Sequence, residues 1–247
     1  MADVNRLLRF AKISNISYLM EAEAAAKFKE LGFDVVKFFD RKGAQAYLVE
    51  NDMETVLVFR GTEITQASDI KADLDIIKNK TNDGRIHKGF KKELEKIWKE
   101  ITPYIERNKK TLSLTGHSLG AAMATIAASH IEEKVSELVT FGSPRVGNRK
   151  FVKCLSVSHF RVKNNNDVVT KIPLFIMGYR HHSAPIYLNY YGEIRKLTTF
   201  QIMKDMMRSK FRAWQKGQMF SGAYDHSMEN YISKLEAINE KEQKNPL

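Results

Sequence analysis

The spacing of apolar positions along this chain switches between a period near 3.6 and a period of two, and the switches mark its elements. Val4, Leu7, Leu8 and Ala11 recur on one helical face. The pattern predicts helix from Val4 to Leu31, interrupted near Ser14 and Asn15 and stopped by Gly32 after AEAAAKFKEL. Such a layer should cover one face of a sheet. The strand-like runs DVVKFF, AQAYLVE and TVLVFRG follow, separated by short polar or glycine-bearing turns, and predict an antiparallel entry to that sheet. The helical period returns from Lys88 to about Arg107, with Phe90, Leu94, Ile97, Trp98 and Ile101 inward, lysines outward and Pro103 placed to kink the last turn.

Strand and helix then alternate. TLSLTGH leads into the small-residue helical run LGAAMATIAA, SELVTF runs into the loop GSPRVGN, and HFRVKN ends in the polar loop NNND. Alternation of this kind predicts an α/β fold with a mostly parallel central sheet flanked by helices, its site beyond the carboxyl ends of the strands. Ala184 to Lys196 reads as a hairpin turning near Gly192, Thr199 to Lys216 as a methionine-rich basic helix, and His226 to about Glu240 as a closing helix. The 247 residues are read as one domain, 1–247, without internal repeats.

The chemistry centres on Gly116-His117-Ser118-Leu119-Gly120. A strand that turns sharply into a helix at a serine is a nucleophile elbow, and glycines on both flanks remove side chains that would collide with the crossing strand and helix. The turn lifts the hydroxyl clear of the sheet edge. A serine hydroxyl is a poor nucleophile at neutral pH, so it needs a base and a group to orient that base. The chain order of an elbow hydrolase is serine, acid, histidine, which restricts the base to His130, His159, His181, His182 or His226. His226, after the loop SGAYD and at the opening of a helix, is the favoured base. Asp167 in NNND, directly after a strand, is favoured as the acid over Asp225, which adjoins His226, and over Asp205, which the pattern puts on the charged side of its helix. Leu119 N–H, next to the serine, and Thr62, at the end of an earlier strand, are the expected oxyanion donors.

Charge and cysteine content change the picture only modestly. Lys and Arg total 40 against 29 for Asp and Glu, a formal net charge of +11, which points to an anionic partner. The single Cys154 excludes an internal disulfide, and no metal-ligand cluster accompanies it. No run approaches the roughly 20 apolar residues of a membrane span, and the N-terminus lacks the pattern of a secretory signal. The expected location is therefore cytoplasmic, or exported without a recognisable signal, and peripheral at membranes.

Phe59-Arg60-Gly61-Thr62, His87-Lys88-Gly89-Phe90, the elbow, Phe141 to Asn148, Asn166-Asp167 with Pro173, and His226 with Tyr231 together resemble the class 3 lipases, relatives of the fungal triacylglycerol lipases in the α/β hydrolase superfamily. The resemblance spans roughly Val35 to Tyr231. It implies an α/β hydrolase fold, a triad of Ser118, Asp167 and His226, an oxyanion hole at Thr62 and Leu119, and a lid at about 63–75. That segment is polar here, with Ile64, Ile70 and Leu74 as its main apolar residues, and a long insert at about 184–217 separates Pro173 from His226.

The expected function is hydrolysis of lipid carboxylic esters, as a lipase or phospholipase A1-like enzyme, with no cofactor. A short-chain carboxylesterase and a catalytically idle membrane-binding fold are the alternatives. No recognition motif for nucleic acid is present. The sequence leaves the oligomeric state open. In the inserted helix, Phe200, Met203, Met206, Met207, Phe211 and Trp214 share one face while Lys204, Arg208 and Arg212 share another. That stripe either packs on the core or docks on an anionic bilayer; Met203, Met207, Phe211 and Trp214, with Ile64 and Ile70, are its candidate lipid-facing residues.

Overall fold

The computed structural model describes residues 3–62, 78–81, 84–194, 197–215 and 221–244. The proposed lid at 63–75, with Ile64 and Ile70, lies outside them. The helical N-terminus is a pair, α1 (Val4–Ile16) and α2 (Glu21–Glu30), broken where Ser17 Oγ donates to the Ser14 carbonyl at 2.7 Å. Asp3 caps α1 by accepting from Asn5 N–H at 2.9 Å. Gly32 then turns the chain at φ +78°, a conformation other residues adopt only with strain.

Strands β1 (Asp34–Arg41), β2 (Ala44–Glu50) and β3 (Glu54–Phe59) pair antiparallel as expected. Beyond β3 every pairing is parallel, through β6 (Thr111–His117), β7 (Val135–Phe141), β9 (His159–Asn164) and β11 (Pro185–Leu188), in the order β1-β2-β3-β6-β7-β9-β11. Strands buried on both faces serve two cores. Leu57, Phe59 and Leu114 pack under α3 (Lys88–Arg107) and α4 (Leu119–His130), whereas Val56, Val58 and Phe141 pack with α1 and the closing helix α8 (Met228–Lys244). Among the described residues no helix is long and apolar enough to cross a membrane.

Three features depart from the sequence pattern. A second small sheet, in the order β10-β8-β5-β4, joins Tyr179–Arg180, Gly147–Asn148, Gly84–His87 and Lys78–Thr81; strands this short carry no periodic signal. The predicted hairpin is mostly an edge strand: β11 pairs parallel with β9, Pro185 opposite Arg161 through Leu188 opposite Asn164, and a single Leu188–Ile194 bridge closes the turn at Gly192. Joining the sheet buries Leu188, which an isolated hairpin would leave in water.

The third departure corrects the placement of Asp205. It lies on α6 (Thr199–Gln215) and is buried, its Oδ2 accepting from Tyr187 Oη and Tyr190 N–H at 2.9 Å each. Two donors make a buried carboxylate tolerable at that position. The helix therefore meets the body through Asp205 and Ser209, both buried, and its stripe faces outward: Phe200, Met203, Met207 and Phe211 are each more than half exposed. The side chains of Arg212 and Trp214 lie outside the described residues.

Candidate active site

β6 delivers His117 and then Ser118, whose φ of +57° and ψ of −124° are a strained corner for any side chain. What the corner requires is visible at its glycines. A Cβ on Gly116 would stand 2.5 Å from the Gly120 carbonyl carbon, and one on Gly120 would stand 2.1 Å from the Phe59 oxygen. Strand and helix cross too closely for any residue but glycine at either position. Ser118 N–H donates to Phe141 O at 3.1 Å, tying the corner to the end of β7. Leu119 opens α4 with the unsatisfied N–H groups of a helix start. Thr62 follows Gly61, whose own Cβ would come within 3.3 Å of Ser118 Cβ, so the end of β3 runs beside the serine.

The structure brings the expected acid and base together. His226 follows the short helix α7 (Ser221–Tyr224), and its Nδ1 lies 3.0 and 2.9 Å from the Asp167 Oδ1 and Oδ2 atoms. A carboxylate only accepts, so Nδ1 carries the hydrogen and Nε2 keeps the lone pair. That Nε2 is buried and has no hydrogen-bond partner among the described residues. Asp167 is fully buried, and it also accepts from Val169 N–H at 2.9 Å and from Tyr231 Oη at 2.6 Å.

The His226 ring packs on His117, the residue before the serine, with ring centroids 4.3 Å apart. It also packs on Gly142, where a Cβ would lie 2.7 Å from its Cε1. The His117 side chain has its own fixed state. Nε2 donates to the His226 carbonyl at 2.8 Å, which leaves Nδ1 to accept from Tyr18 Oη at 2.8 Å, and burial first, then His226 nearby, holds its pKa well below the usual value. Neutral His117 thus buttresses the loop of His226 from below.

The remaining candidates are engaged elsewhere. His181 Nε2 donates to Thr170 O at 2.8 Å, His159 and His182 meet at 3.0 Å through their Nδ1 atoms, and His130 packs edge-on against Trp98 at the far end of α4. The rival acid Asp225 accepts Asn166 N–H at 3.2 Å, and burial raises its pKa to about 6. A cavity of about 380 Å³ lined by His130, Glu132, Phe151 and Cys154 sits at the C-terminal end of α4, a helix length from Ser118. Among the described residues no group of His, Cys, Asp or Glu is arranged to hold a metal ion. Tyr18 and Ser14 had no signal in the sequence as site neighbours: Ser14 Oγ meets Thr115 Oγ1 at 3.0 Å across 101 residues of chain.

Against known proteins, residues 56–177 match the family model of the class 3 lipases. That segment, just under half of the chain, is similar to the class 3 lipases. It includes Thr62, Ser118, Leu119 and Asp167 and stops short of His226. Of the relatives, a secreted mono- and diacylglycerol lipase 1 of Fusarium solani is 34% identical over 114 residues, 42% of this chain and 34% of that protein. The chloroplastic phospholipase A(1) DAD1 of Arabidopsis thaliana is 44% identical over 71 residues, 26% of this chain and 16% of that protein. The chain thus spans about a third of the length of the first of these curated relatives and less of the second. Lipase II from Rhizopus niveus superposes with a TM-score of 0.68 at 21% identity, covering 75% of this chain and 80% of that one, a likeness that shows the α/β hydrolase fold.

Proposed function

We propose that this chain is a serine hydrolase that cleaves carboxylic ester bonds of lipids through Ser118, His226 and Asp167. The observation that carries the reading is a buried imidazole with Nδ1 held by Asp167, Nε2 without a partner among the described residues, and its ring packed at a tilt against that of the residue before the elbow serine. In this mechanism the Ser118 hydroxyl attacks the ester carbonyl as its proton passes to His226 Nε2. Asp167 stabilises the imidazolium that forms. The N–H groups of Leu119 and Thr62 receive the negative charge developing on the carbonyl oxygen. Collapse passes the proton to the departing alcohol and leaves an acyl-serine, which water, activated by the same imidazole, hydrolyses to the free acid. The names of the relatives make mono- and diacylglycerols and phospholipids the first substrates to test.

The same reading includes docking on an anionic lipid surface through α6. Phe200, Met203, Met207 and Phe211 face outward, Lys204 and Arg208 stand exposed among them, and Leu174, Phe175 and Ile176 on the loop after Asp167 are exposed as well. Each cation near an anionic bilayer contributes about 1 kcal/mol within a Debye length of roughly 8 Å. Reversing Lys204 and Arg208 to glutamate should weaken sedimentation with anionic liposomes while sparing hydrolysis of a soluble short-chain ester; equal loss in both assays would refute the docking role.

For the chemistry itself, a fluorophosphonate probe should label the wild-type chain and not Ser118→Ala, whose ester hydrolysis should fall by roughly four to six orders of magnitude while its melting temperature holds. Absence of labelling in the folded wild-type protein would leave only a binding fold.

A further inference from the structure

The cavity at the C-terminal end of α4 stands apart from the proposed ester chemistry. The 12 residues of α4, at about 1.5 Å each, put it roughly 18 Å from Ser118. Its volume of about 380 Å³ falls within the roughly 300–1,000 Å³ of small-molecule pockets. Three buried side chains from separate parts of the chain give it an apolar floor: Ile86 on β5, Phe151 on the short helix α5 (Arg149–Cys154), and Leu155 just after that helix. His130, Glu132 and Glu133 line the same space with polar groups, and the exposed Cys154 borders it.

The charge of that lining has one sign. Ser156 holds Glu132 in place, its Oγ and N–H donating to Oε2 at 2.6 and 3.3 Å, and no described residue donates to Oε1. Glu133 is exposed and makes no hydrogen bond among the described residues, and no lysine or arginine among them pairs with either carboxylate. His130 does not offset them. Burial first, and then Lys91, lower its pKa, so the ring is neutral at neutral pH, and Lys91 itself pairs with Glu95 at 3.4 Å. The last turn of α4 adds the negative end of the helix dipole. In a chain of net charge +11 this cavity is a local anionic recess with an apolar floor.

We propose that this cavity binds a small organic ammonium ion, its apolar group against Ile86, Phe151 and Leu155 and its N–H groups donating to Glu132 and Glu133. Each half of such a ligand meets its complement. An alkyl or aryl group is driven onto the apolar floor by release of water, and an ammonium brings three donors to carboxylate oxygens that have acceptor capacity to spare. An anion would face two carboxylates and a helix C-terminus, and a neutral alcohol would leave both charges uncompensated. The site is independent of the ester chemistry proposed above and survives its failure.

The test uses the full chain. Alkylation of Cys154, the single cysteine, by iodoacetamide is followed by peptide mass spectrometry, and melting is measured alongside. Both are recorded against increasing 2-phenylethylammonium chloride, 2-phenylethanol or sodium phenylacetate at equal ionic strength. The ammonium should slow alkylation saturably and raise the melting temperature. The alcohol should bind about tenfold more weakly, the effect of losing one charge-assisted contact, and phenylacetate should give no protection. Glu133→Gln, at an exposed position that leaves folding intact, should weaken binding of the ammonium by about tenfold and leave that of the alcohol unchanged. Ser118→Ala should bind the ammonium as the wild type does, which keeps failure here distinct from failure of the ester reading. Absence of a saturable effect of the ammonium in both readouts, or an affinity for it no greater than for the alcohol, would overturn the proposal.

Discussion

Gly142→Ala perturbs the acid–base pair without touching a member of it. Gly142 sits just past β7 at φ +57°, and a Cβ there would lie 2.7 Å from His226 Cε1, 2.8 Å from its Nδ1 and 2.9 Å from Asp167 Oδ2. Ordinary contact begins at 3.4 Å, so the ring must move from 2.7 to 3.4 Å, a displacement of about 0.7 Å. The left-handed backbone alone should destabilise by roughly 1–2 kcal/mol once a Cβ is present. Gly32→Ala supplies the control, because Gly32 has φ +78° and nothing within 4 Å of its Cβ position. Both variants should therefore melt a few degrees lower, at about 2–4 °C per kcal/mol for a chain of this size. Only Gly142→Ala should lose activity, by about 100-fold in kcat/KM on a soluble p-nitrophenyl ester, since misplacement approaching 1 Å has effects of that order. Labelling by a fluorophosphonate should slow in parallel. Retention of kcat/KM within about threefold of wild type, with melting matched to Gly32→Ala, would refute the assignment of His226 and Asp167 to the reaction.

Asp167→Asn should lower kcat by about four orders of magnitude, because an amide in place of the carboxylate no longer fixes the tautomer with Nε2 free. Asp225→Asn should keep activity near wild type; the reverse ranking would transfer the role of acid to Asp225. Burial raises the Asp225 pKa from 3.8 to about 6, so the folded state holds its proton longer than the unfolded one and stability falls as pH rises between those values. The penalty above pH 6 is at most about 3 kcal/mol at 1.36 kcal/mol per unit, and chemical denaturation of Asp225→Asn across pH 4–8 should show it relieved. Tyr231→Phe removes a 2.6 Å donor to Asp167 and the acceptor of Asn164 N–H at 3.0 Å. A loss of roughly 2–3 kcal/mol in stability is expected from a buried group left unpaired, with kcat lowered about tenfold if half of that reaches the transition state. Unchanged denaturation and kinetics would show that water replaces the phenol.

Local pattern was enough for much of this molecule. The elbow glycines, the 88–107 helix, the antiparallel entry and the parallel half follow from short-range sterics and periodicity, which act within a few residues and so are written into neighbouring positions. Ser118, Asp167 and His226 are legible as candidates in the same way, each near the end of a strand or the start of a helix. Contacts between distant segments could not be. Tyr18 reaches His117 across 99 residues, and Tyr231 reaches Asp167 across 64; nothing near either tyrosine announces its partner. Asp205 and its helix make the same point in reverse. Helical spacing picks out the apolar and the charged positions of α6, but spacing is silent on which side meets the body. That was decided by Tyr187 and Tyr190, whose donors make burial of a carboxylate tolerable and thereby turn the methionines and phenylalanines outward.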